Sequence, residues 1–248
     1  MTEAVLSIGF LTRIPAPFIA GAGTVRQSDC LWAYPLVGLI VGGGGAACFG
    51  LAMTLGLPVH LAALMAVAAT ALVTGALHED GLADFADGVG GGRTREQKLE
   101  IMRDSRIGTF GALALMVSLA IKVEALAALP AGLAPGAFVL VHILARGLLA
   151  VPFLLLGPAR AEGLGQSAGR PNFATAAVAL LIGATSAASL ELNRTFAGVA
   201  LFVAALIAVL VVCQIARRTL GGATGDVYGT AEQAAEVAGL LALAAVFS

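Results

Sequence analysis

Long apolar runs alternate with short polar segments along almost the whole chain. A helix needs about 20 mostly apolar residues to cross the hydrocarbon core of a bilayer. Runs of about this length predict seven membrane-spanning helices, of which the fifth and the last are short. The predicted spans are residues 33–55, 59–77, 108–129, 134–156, 173–190, 196–215 and 231–247. The apolar segment before them, residues 2–12, is too short to span, so it predicts an interfacial helix.

Composition supports a membrane protein. Hydrophobic residues make up 59% and charged residues 12% of the 248 residues, whereas a soluble domain carries roughly 25% charged residues. The formal net charge of −1 gives no field that would attract nucleic acid, so we expect no such partner. Cys30, Cys48 and Cys213 have no spacing typical of a disulfide framework or a zinc site. We therefore expect an all-α, polytopic integral membrane helix bundle, with residues 1–248 forming a single membrane domain in the lipid bilayer.

Basic residues are divided unevenly between the two sides of this bundle. Eleven of the 14 Lys and Arg residues fall in segments on one side, two lie inside spans, and only Arg194 falls on the opposite side. Positively charged segments stay in the cytoplasm. The pattern therefore predicts a cytoplasmic N-terminus and cytoplasmic connections at residues 78–107, 157–172 and 216–230.

The connection 78–107 is the only long one, and it holds seven of the chain's 15 acidic residues. Asp80, Asp84 and Asp87 are spaced at i, i+4 and i+7. If the second span continues as a helix, these aspartates lie within about 60° of one another on one face. Like charges at this spacing repel each other, so we expect a positive group between them.

A magnesium ion suits this acidic face, because Mg²⁺ prefers carboxylate oxygens and shares its coordination shell with substrate phosphates. Lysine or arginine side chains are an alternative counter-charge, and a solvated acidic helix end is the simplest interpretation. Aspartate is a poor helix former, so three aligned aspartates are locally unfavourable, which favours a functional role. Loop 78–107 is thus the predicted catalytic region.

The segment Asp104-Ser105-Arg106 directly precedes the third predicted span. Arginine binds phosphate oxygens in a bidentate manner, and the free N–H groups at a helix start attract anions. The segment predicts either a phosphate clamp that faces the aspartates or a helix cap with an anchoring arginine. The neighbouring acidic face favours the clamp.

A second glycine-rich connection carries Asp226 on the same predicted side of the membrane. Thr230 and Gln233, just after it, have the spacing of a capping box at the start of the last span. Such loops are usually simple turns, and only the shared side connects this one with the acidic face.

Ionisable residues also lie inside the predicted spans, namely Lys122, Glu124, His142 and Arg146. Intramembrane charges are functional candidates by default. His142 and Arg146 are four residues apart and share a helix face, whereas Lys122 and Glu124 do not. Structural pairing between the third and fourth spans is an equal alternative, and the sequence leaves this choice open.

A carboxylate face, a nearby arginine cluster and a membrane surface together suit magnesium-dependent transfer of a phosphoryl-linked group from a diphosphate donor. One carboxylate could accept a proton from an attacking hydroxyl. The sequence has no Walker loop, no GxGxxG and no Ser-His-Asp order, which excludes the commoner classes of nucleotide-binding enzyme and serine hydrolase.

Five motifs carry a resemblance to a known family over nearly the whole chain. The most specific are His78-Glu79-Asp80-Gly81-Leu82-Ala83-Asp84 with Asp87-Gly88, and Ile101-Met102-Arg103-Asp104-Ser105-Arg106-Ile107-Gly108-Thr109. Thr12-Arg13-Ile14-Pro15, Tyr34-Pro35-Leu36-Val37-Gly38 and the later Gly225-Asp226 with Tyr228-Gly229 also fit. With these motifs the chain resembles the cobalamin synthase family, adenosylcobinamide-GDP ribazoletransferase.

The resemblance implies an enzyme of the bacterial inner membrane that joins adenosylcobinamide-GDP to α-ribazole, or to its 5′-phosphate, and releases GMP with the help of Mg²⁺. It implies catalytic and metal-binding roles for Asp80, Asp84 and Asp87, with Glu79 beside them as a catalytic candidate and Asp226 as a further metal ligand. The substrate-binding candidates are Arg13, His78, Arg103, Asp104, Ser105 and Arg106. With the charge asymmetry above, this active site is expected on the cytoplasmic side.

Two other functions stay open at this point. The ionisable residues inside spans are compatible with a cation-coupled membrane transporter, which would hold its key charges near the bilayer midplane. A membrane scaffold for soluble enzymes is the third interpretation. The sequence also leaves open whether the chain forms a homo-oligomer.

Overall fold

The structure, a computed structural model, describes residues 2–17, 25–190 and 196–247. Within these ranges the chain is helical and contains no β-sheet, apart from one isolated bridge between Pro158 and Ala223. Arg194, the single basic residue expected on the opposite side, lies outside the described residues. The helices are α1 (Thr2–Leu11), α2 (Gln27–Cys30), α3 (Tyr34–Thr54), α4 (Val59–Thr74), α5 (Leu77–Gly91), α6 (Arg95–Ile101), α7 (Thr109–Ala128), α8 (Ala134–Leu148), α9 (Ala150–Leu155), α10 (Leu164–Ser167), α11 (Phe173–Ala188), α12 (Ala197–Thr219) and α13 (Gly225–Phe247), with a 3₁₀ turn at Leu31–Ala33 between α2 and α3.

Each predicted span coincides with a helix or with two consecutive helices in the structure. Five described segments are long and apolar enough to cross a membrane, and α4 with α5 gives a sixth if this bent pair is one span. The predicted fifth span corresponds to α11, which is apolar but has 16 residues. The five long segments are Gln27–Thr54, Thr109–Ala128, Ala134–Leu155, Ala197–Thr219 and Gly225–Phe247. The protein is thus an all-α, multi-pass membrane bundle, as predicted.

The second span does not continue straight into the acidic segment. Helix α4 ends at Thr74, and α5 leaves it at an angle of 91°. Gly75 (φ 66°) and Ala76 (φ 57°) both adopt the left-handed conformation, which ends a helix and turns the chain. The acidic residues still lie on a helix, but that helix has its own direction and neighbours.

Glycines let α3 pack closely against α8. The spacing of Gly38 and Gly42 predicts such packing, and a Cβ on Gly42 would lie 2.9 Å from Cα of Val139. A Cβ on Gly38 would overlap the backbone of His142. Gly45 faces Phe138 and Thr70 in the same way. These glycines serve helix packing, in agreement with the prediction.

The N-terminal helix α1 packs on one end of the bundle. Its Ser7 and Leu11 are buried, and the Ser7 hydroxyl lies 3.3 Å from the Cys30 carbonyl oxygen, which accepts from it. The N–H of Arg13 donates to the carbonyl of Val73 at 2.7 Å, which ties the end of α1 to the end of α4. This helix therefore helps to cover the ends of α3 and α4.

The connection 78–107 is largely helical, in agreement with the helical spacing of its aspartates. It contains α5 and α6, and a capping box formed by Thr94 and Gln97 is present at the start of α6. Arg95 donates to the carbonyls of Leu220 and Ala159, which fastens α6 to two other connections. The segment is a folded part of the bundle.

Candidate functional site

The candidate site is built around a close crossing of α5 and α13. A Cβ on Gly81 would lie 3.1 Å from Cα of Asp226 and 3.2 Å from Cα of Gly229. The Thr230 hydroxyl donates to the Gly81 carbonyl at 3.1 Å across the same crossing. Only residues without a side chain allow two helix backbones to approach this closely. The crossing brings the aspartates of α5 beside the first turn of α13.

Asp80, Asp84 and Asp226 form the feature that we call the acidic cluster. Asp80 is exposed, and Asp84 and Asp226 are half-buried. The carboxylates of Asp80, Asp226 and, more weakly, Asp87 act electrostatically on that of Asp84, while the guanidinium of Arg160 opposes them. Among the described residues, none of the three makes an ion pair within 4.0 Å. The cluster therefore concentrates negative charge without a direct counter-charge.

Asp87, the third aspartate of the predicted face, binds the start of α7 instead. Its Oδ2 accepts from the N–H of Gly108 at 2.7 Å, and its Oδ1 accepts from the N–H of Gly111 at 2.8 Å. The side chain is buried. A carboxylate at a helix N-terminus satisfies free N–H groups and interacts favourably with the helix dipole. These contacts favour a structural role for Asp87 over a metal-binding one.

Glu79 turns inward, away from the acidic cluster. Its Oε1 accepts from the Gln233 amide at 3.2 Å and lies 3.8 Å from Nζ of Lys122. His78 beside it is buried, with Nδ1 3.3 Å from Oε2 of Glu232. Both residues thus contact the interior of the bundle, although His78 also lines a cavity next to Asp80.

The interior charges form one cluster, the buried ionic network, which consists of Glu79, Lys122, Arg146, Glu232 and Glu236. Lys122 Nζ lies 3.1 Å from Glu236, and Arg146 Nη1 lies 2.7 Å from Glu232 and 3.1 Å from Glu236. All but Glu79 are at most 2% exposed. Burial of charge is tolerated only when the charges are paired and hydrogen-bonded, and here every cation contacts a carboxylate.

The buried ionic network shows which side chains the interior charges pair with, a question that the sequence leaves open. Among the described residues, the charged side chains of the third and fourth spans form no ion pair with each other, and the cations Lys122 and Arg146 both bind glutamates of α13. His142 lies 3.3 Å from Glu236 as well. Glu124 is separate from this network and lies 3.3 Å from His60 in an exposed pair.

Helix α13 starts earlier than the sequence predicts. The expected span begins at residue 231, with Thr230 and Gln233 as a capping box, whereas the helix begins at Gly225. Thr230 instead donates to the carbonyl of Asp226, and Gln233 accepts from Lys122 at 2.8 Å. The capping-box prediction is therefore wrong at this position. Because α13 begins at Gly225, Asp226 lies in the first turn of a helix and not in a loop.

Sequence reasoning missed Glu232, Glu236 and Arg160. The two glutamates are four residues apart within an apolar run, and buried cations on other spans need carboxylates, so this spacing was the available signal. Arg160 gave no local signal, because it reaches the site only through the fold. Its Nη2 donates to the Leu99 carbonyl at 2.7 Å. Burial and the neighbouring Arg103 lower the pKa of Arg160, while Asp226 and Asp84 oppose this shift.

Arginines flank the acidic cluster on two sides. Arg13 is exposed, covers Gly75 and shares with Asp80 a cavity of about 430 Å³. Arg160 shares a cavity of about 170 Å³ with Asp226, and the exposed Arg103 lies near Arg160. The structure thus brings Arg13 and Arg160 close to the carboxylates, with Arg103 next to Arg160, in positions where an anionic group can meet them.

The Asp104-Ser105-Arg106 segment lies beside Asp87 and outside the acidic cluster. Arg106 and Asp104 form a bidentate pair, with Nη2 2.6 Å from Oδ2, and Arg106 is 86% exposed. The hydrogen bonds from Arg106 lower the pKa of Asp104. Ser105 is exposed. With Asp87 the pair lines a shallow cavity of about 280 Å³, so the expected clamp faces one predicted aspartate and not all three.

The carboxylates of the acidic cluster fit a magnesium ion better than that of Asp87, the remaining residue of the predicted acidic face. Mg²⁺ is held through one or two carboxylates together with waters and substrate phosphates. Asp80, Asp84 and Asp226 offer such oxygens, whereas both oxygens of Asp87 already accept backbone N–H groups. In the described part of the chain, no three Asp, Glu, His or Cys side chains lie close enough to form a complete metal site by themselves.

Comparison with known proteins places the chain in a family. The family model described as cobalamin-5-phosphate synthase matches residues 3–244. The chain belongs to this family. It is 45% identical over 241 residues to the adenosylcobinamide-GDP ribazoletransferase of Bradyrhizobium diazoefficiens, which covers 97% of this chain and 92% of that protein. The corresponding proteins of Rhizobium etli and Mesorhizobium japonicum are 44% and 39% identical, over 96% and 100% of this chain and 94% and 95% of theirs.

Membership of the cobalamin-5-phosphate synthase family makes this chain a transferase of cobalamin biosynthesis. The resemblance seen in the sequence motifs is thereby confirmed, and the carrier and scaffold interpretations lose their support. No solved structure matches the chain.

Proposed function

We propose that the protein joins adenosylcobinamide-GDP to α-ribazole, or to its 5′-phosphate, and releases GMP at the acidic cluster. The observation that carries this proposal is the close crossing of α5 and α13 at Gly81 and Gly229, which groups Asp80, Asp84 and Asp226 without an ion-pair partner among the described residues. Full-length relatives carry the name of this activity.

The reaction is a displacement at phosphorus. A ribose hydroxyl oxygen of the acceptor forms a bond to the phosphorus that bears the cobinamide. The bond from that phosphorus to the bridging oxygen breaks, and GMP leaves with the electron pair. The proton of the hydroxyl moves to a carboxylate of the acidic cluster, and Asp84, half-buried among like charges, suits this role.

Arginines on both sides of the acidic cluster suit the anionic donor. Arg13 and Arg160 lie in cavities that end at Asp80 and Asp226 respectively. Guanidinium groups bind phosphate oxygens in a bidentate manner and can orient the diphosphate for attack. The connection 78–107 also carries Arg103, Ser105 and Arg106. We assign these three residues to the nucleotide side of the donor.

The proposal includes Mg²⁺ as the cofactor, which would be held by one or two of the carboxylates of Asp80, Asp84 and Asp226 together with phosphate oxygens of the donor. When bound, the ion would offset the negative charge of the diphosphate and of the leaving phosphate. The proposal also includes a cytoplasmic active site in the bacterial inner membrane. It is supported by the distribution of arginines, since those near the acidic cluster belong to the positively charged side.

GMP release by the purified protein in liposomes tests the proposal. We expect GMP only when donor, acceptor and Mg²⁺ are all present, and none after chelation of the metal. Release without α-ribazole or its phosphate would contradict the transfer reaction. Full activity in chelator would contradict the metal. An inactive purified protein would favour the scaffold interpretation.

A further inference from the structure

A largely apolar cavity of about 340 Å³ opens beside the acidic cluster and has no role in the chemistry described so far. The end of α1, the starts of α2 and α3, the α8–α9 region and the starts of α5 and α13 enclose it. Four aromatic residues line it, namely Phe10, Tyr34, Phe153 and Tyr228. The rings of Phe153 and Tyr228 are stacked, with centroids 4.1 Å apart and planes at 17°. Asp80 and Asp226 lie in its wall.

We propose that this cavity binds the base of the acceptor, a flat and largely apolar heteroaromatic ring system such as the benzimidazole of ribazole. The inference rests on the proposed function, since it assigns the acceptor's place at the same site. A base in the cavity would direct its ribose towards Asp80 and Asp226, where the attacking hydroxyl is needed.

Size and lining favour a single base. Pockets for small ligands measure about 300–1,000 Å³, are mostly apolar, and contain a few convergent polar groups. This cavity is at the small end of that range, so it has room for a bicyclic base and part of a sugar, whereas the corrin macrocycle of the donor is far larger. Aromatic side chains hold bases by stacking.

One polar side chain is positioned to identify the base. The Tyr34 hydroxyl donates to Oε1 of Gln27 at 2.9 Å, and both residues line the cavity. Because Oε1 is used as an acceptor, the Gln27 amide nitrogen is the group that can donate to a ligand. The ring nitrogen of benzimidazole that carries no sugar is an acceptor of matching type.

Charge separates this cavity from the donor's side. Carboxylates of Asp80 and Asp226 in the wall repel phosphate groups that bring no cation, so a phospholipid headgroup does not suit the cavity, and the diphosphate would approach these carboxylates only through Mg²⁺. The arginines line the two neighbouring cavities instead, Arg13 on the Asp80 side and Arg160 on the Asp226 side. The acceptor's apolar base and the donor's anionic diphosphate would thus approach the acidic cluster from different directions.

Binding of α-ribazole to the purified protein in nanodiscs, without donor, tests the assignment independently of turnover. We expect Phe153→Leu to weaken binding about tenfold through loss of ring stacking. In a steady-state assay it should raise KM for α-ribazole by a similar factor and leave KM for adenosylcobinamide-GDP unchanged. Phe202→Leu, the same change on α12 outside the cavity, is the matched control and should bind as the unaltered protein does.

Gln27→Leu keeps the assignment testable if Phe153→Leu folds poorly. This variant should bind α-ribazole more weakly, but should bind an analogue with phenyl in place of benzimidazole as the unaltered protein does, because that ring has no nitrogen to accept. Unchanged α-ribazole affinity in both variants, with normal GMP release, would overturn the cavity assignment and leave the proposed function standing. Absence of both α-ribazole binding and GMP release in the unaltered protein would overturn both.

Discussion

The two groups of charged side chains in this protein are built in opposite ways. In the buried ionic network, Lys122 and Arg146 each contact carboxylates of α13 at 2.7–3.1 Å. In the acidic cluster, three carboxylates lie near the crossing of α5 and α13, and within the described residues none has an ion-pair partner. Paired charges inside a bundle stabilise its arrangement once they are buried, because removing one leaves the other uncompensated. Like charges held together lower stability, so their retention indicates function.

In this membrane enzyme the two groups of charges have different roles. Intramembrane charge alone is a weak guide, since the most deeply buried charges here hold four helices together. The acidic cluster is better identified by what it lacks, a counter-charge, and by its position among cavities that contain arginines.

The largest expected effect comes from removing charge from the acidic cluster. Asp84→Asn should lower GMP release by about 100-fold or more, because a carboxylate that accepts a proton contributes roughly 10²–10⁴-fold to a rate. Its thermal unfolding in detergent should be unchanged or slightly improved, since one like charge is removed. Glu96→Gln changes an exposed carboxylate on α6 and serves as the control with normal release. Normal release by Asp84→Asn would exclude Asp84 from the chemistry.

The next largest effect is expected from removing one charge of the buried ionic network. Glu236→Gln should destabilise the fold by about 3–5 kcal/mol, because it leaves Lys122 and Arg146 short of one buried carboxylate. The measurement is the midpoint of thermal unfolding in detergent. Glu124→Gln removes the same charge from the exposed pair with His60 and should change stability by less than about 1 kcal/mol. Equal effects of the two variants would contradict the structural role of the network.

A smaller effect separates Asp87 from the acidic cluster. Asp87→Ala should lower the free energy of unfolding by about 1–3 kcal/mol, because the N–H groups of Gly108 and Gly111 lose their acceptor. Asp87→Asn keeps one acceptor oxygen and should have a smaller effect. If Asp87→Ala unfolds like the unaltered protein but releases no GMP, then Asp87 acts with Asp80 and Asp84, and the division drawn here is wrong.

The smallest effect concerns the bend that gives α5 its direction. Ala76→Gly should stabilise the protein by about 1 kcal/mol or less, because a left-handed conformation is unfavourable for alanine, while the freer unfolded chain offsets part of the gain. Gly75→Ala is the opposite change, at φ 66° and against the side chain of Arg13, and should destabilise. Differential scanning fluorimetry can rank the two variants. A destabilising Ala76→Gly together with a stabilising Gly75→Ala would contradict the interpretation of the bend.

The sequence predicted the helices well because apolar length is a local property. It did not predict the bend at Gly75 and Ala76, since a glycine within an apolar run is also compatible with a continuous span. The spacing of Asp80, Asp84 and Asp87 was interpreted correctly as helical, yet helical spacing does not reveal partners. Asp87 meets the start of α7 through a contact that the fold creates 21 residues along the chain.

Long-range pairing limited the prediction of the site in the same way. In the sequence, Asp226 shares with the acidic face only the predicted side of the membrane. The close approach of α5 and α13 at Gly81 and Gly229 is what places it next to Asp80 and Asp84. The glycine motifs were visible in the sequence, but the contact between them was not. Arg160 carried no local pattern that could have distinguished it from other basic loop residues.

The most direct test of the central claim is GMP release per folded molecule, measured side by side for Asp84→Asn and Glu236→Gln in liposomes with Mg²⁺. We expect Asp84→Asn to be well folded but nearly inactive, and Glu236→Gln to be less stable but to keep most of its turnover per folded molecule. The reverse result, an active Asp84→Asn and a well-folded but inactive Glu236→Gln, would move the chemistry from the acidic cluster into the buried ionic network and contradict the account.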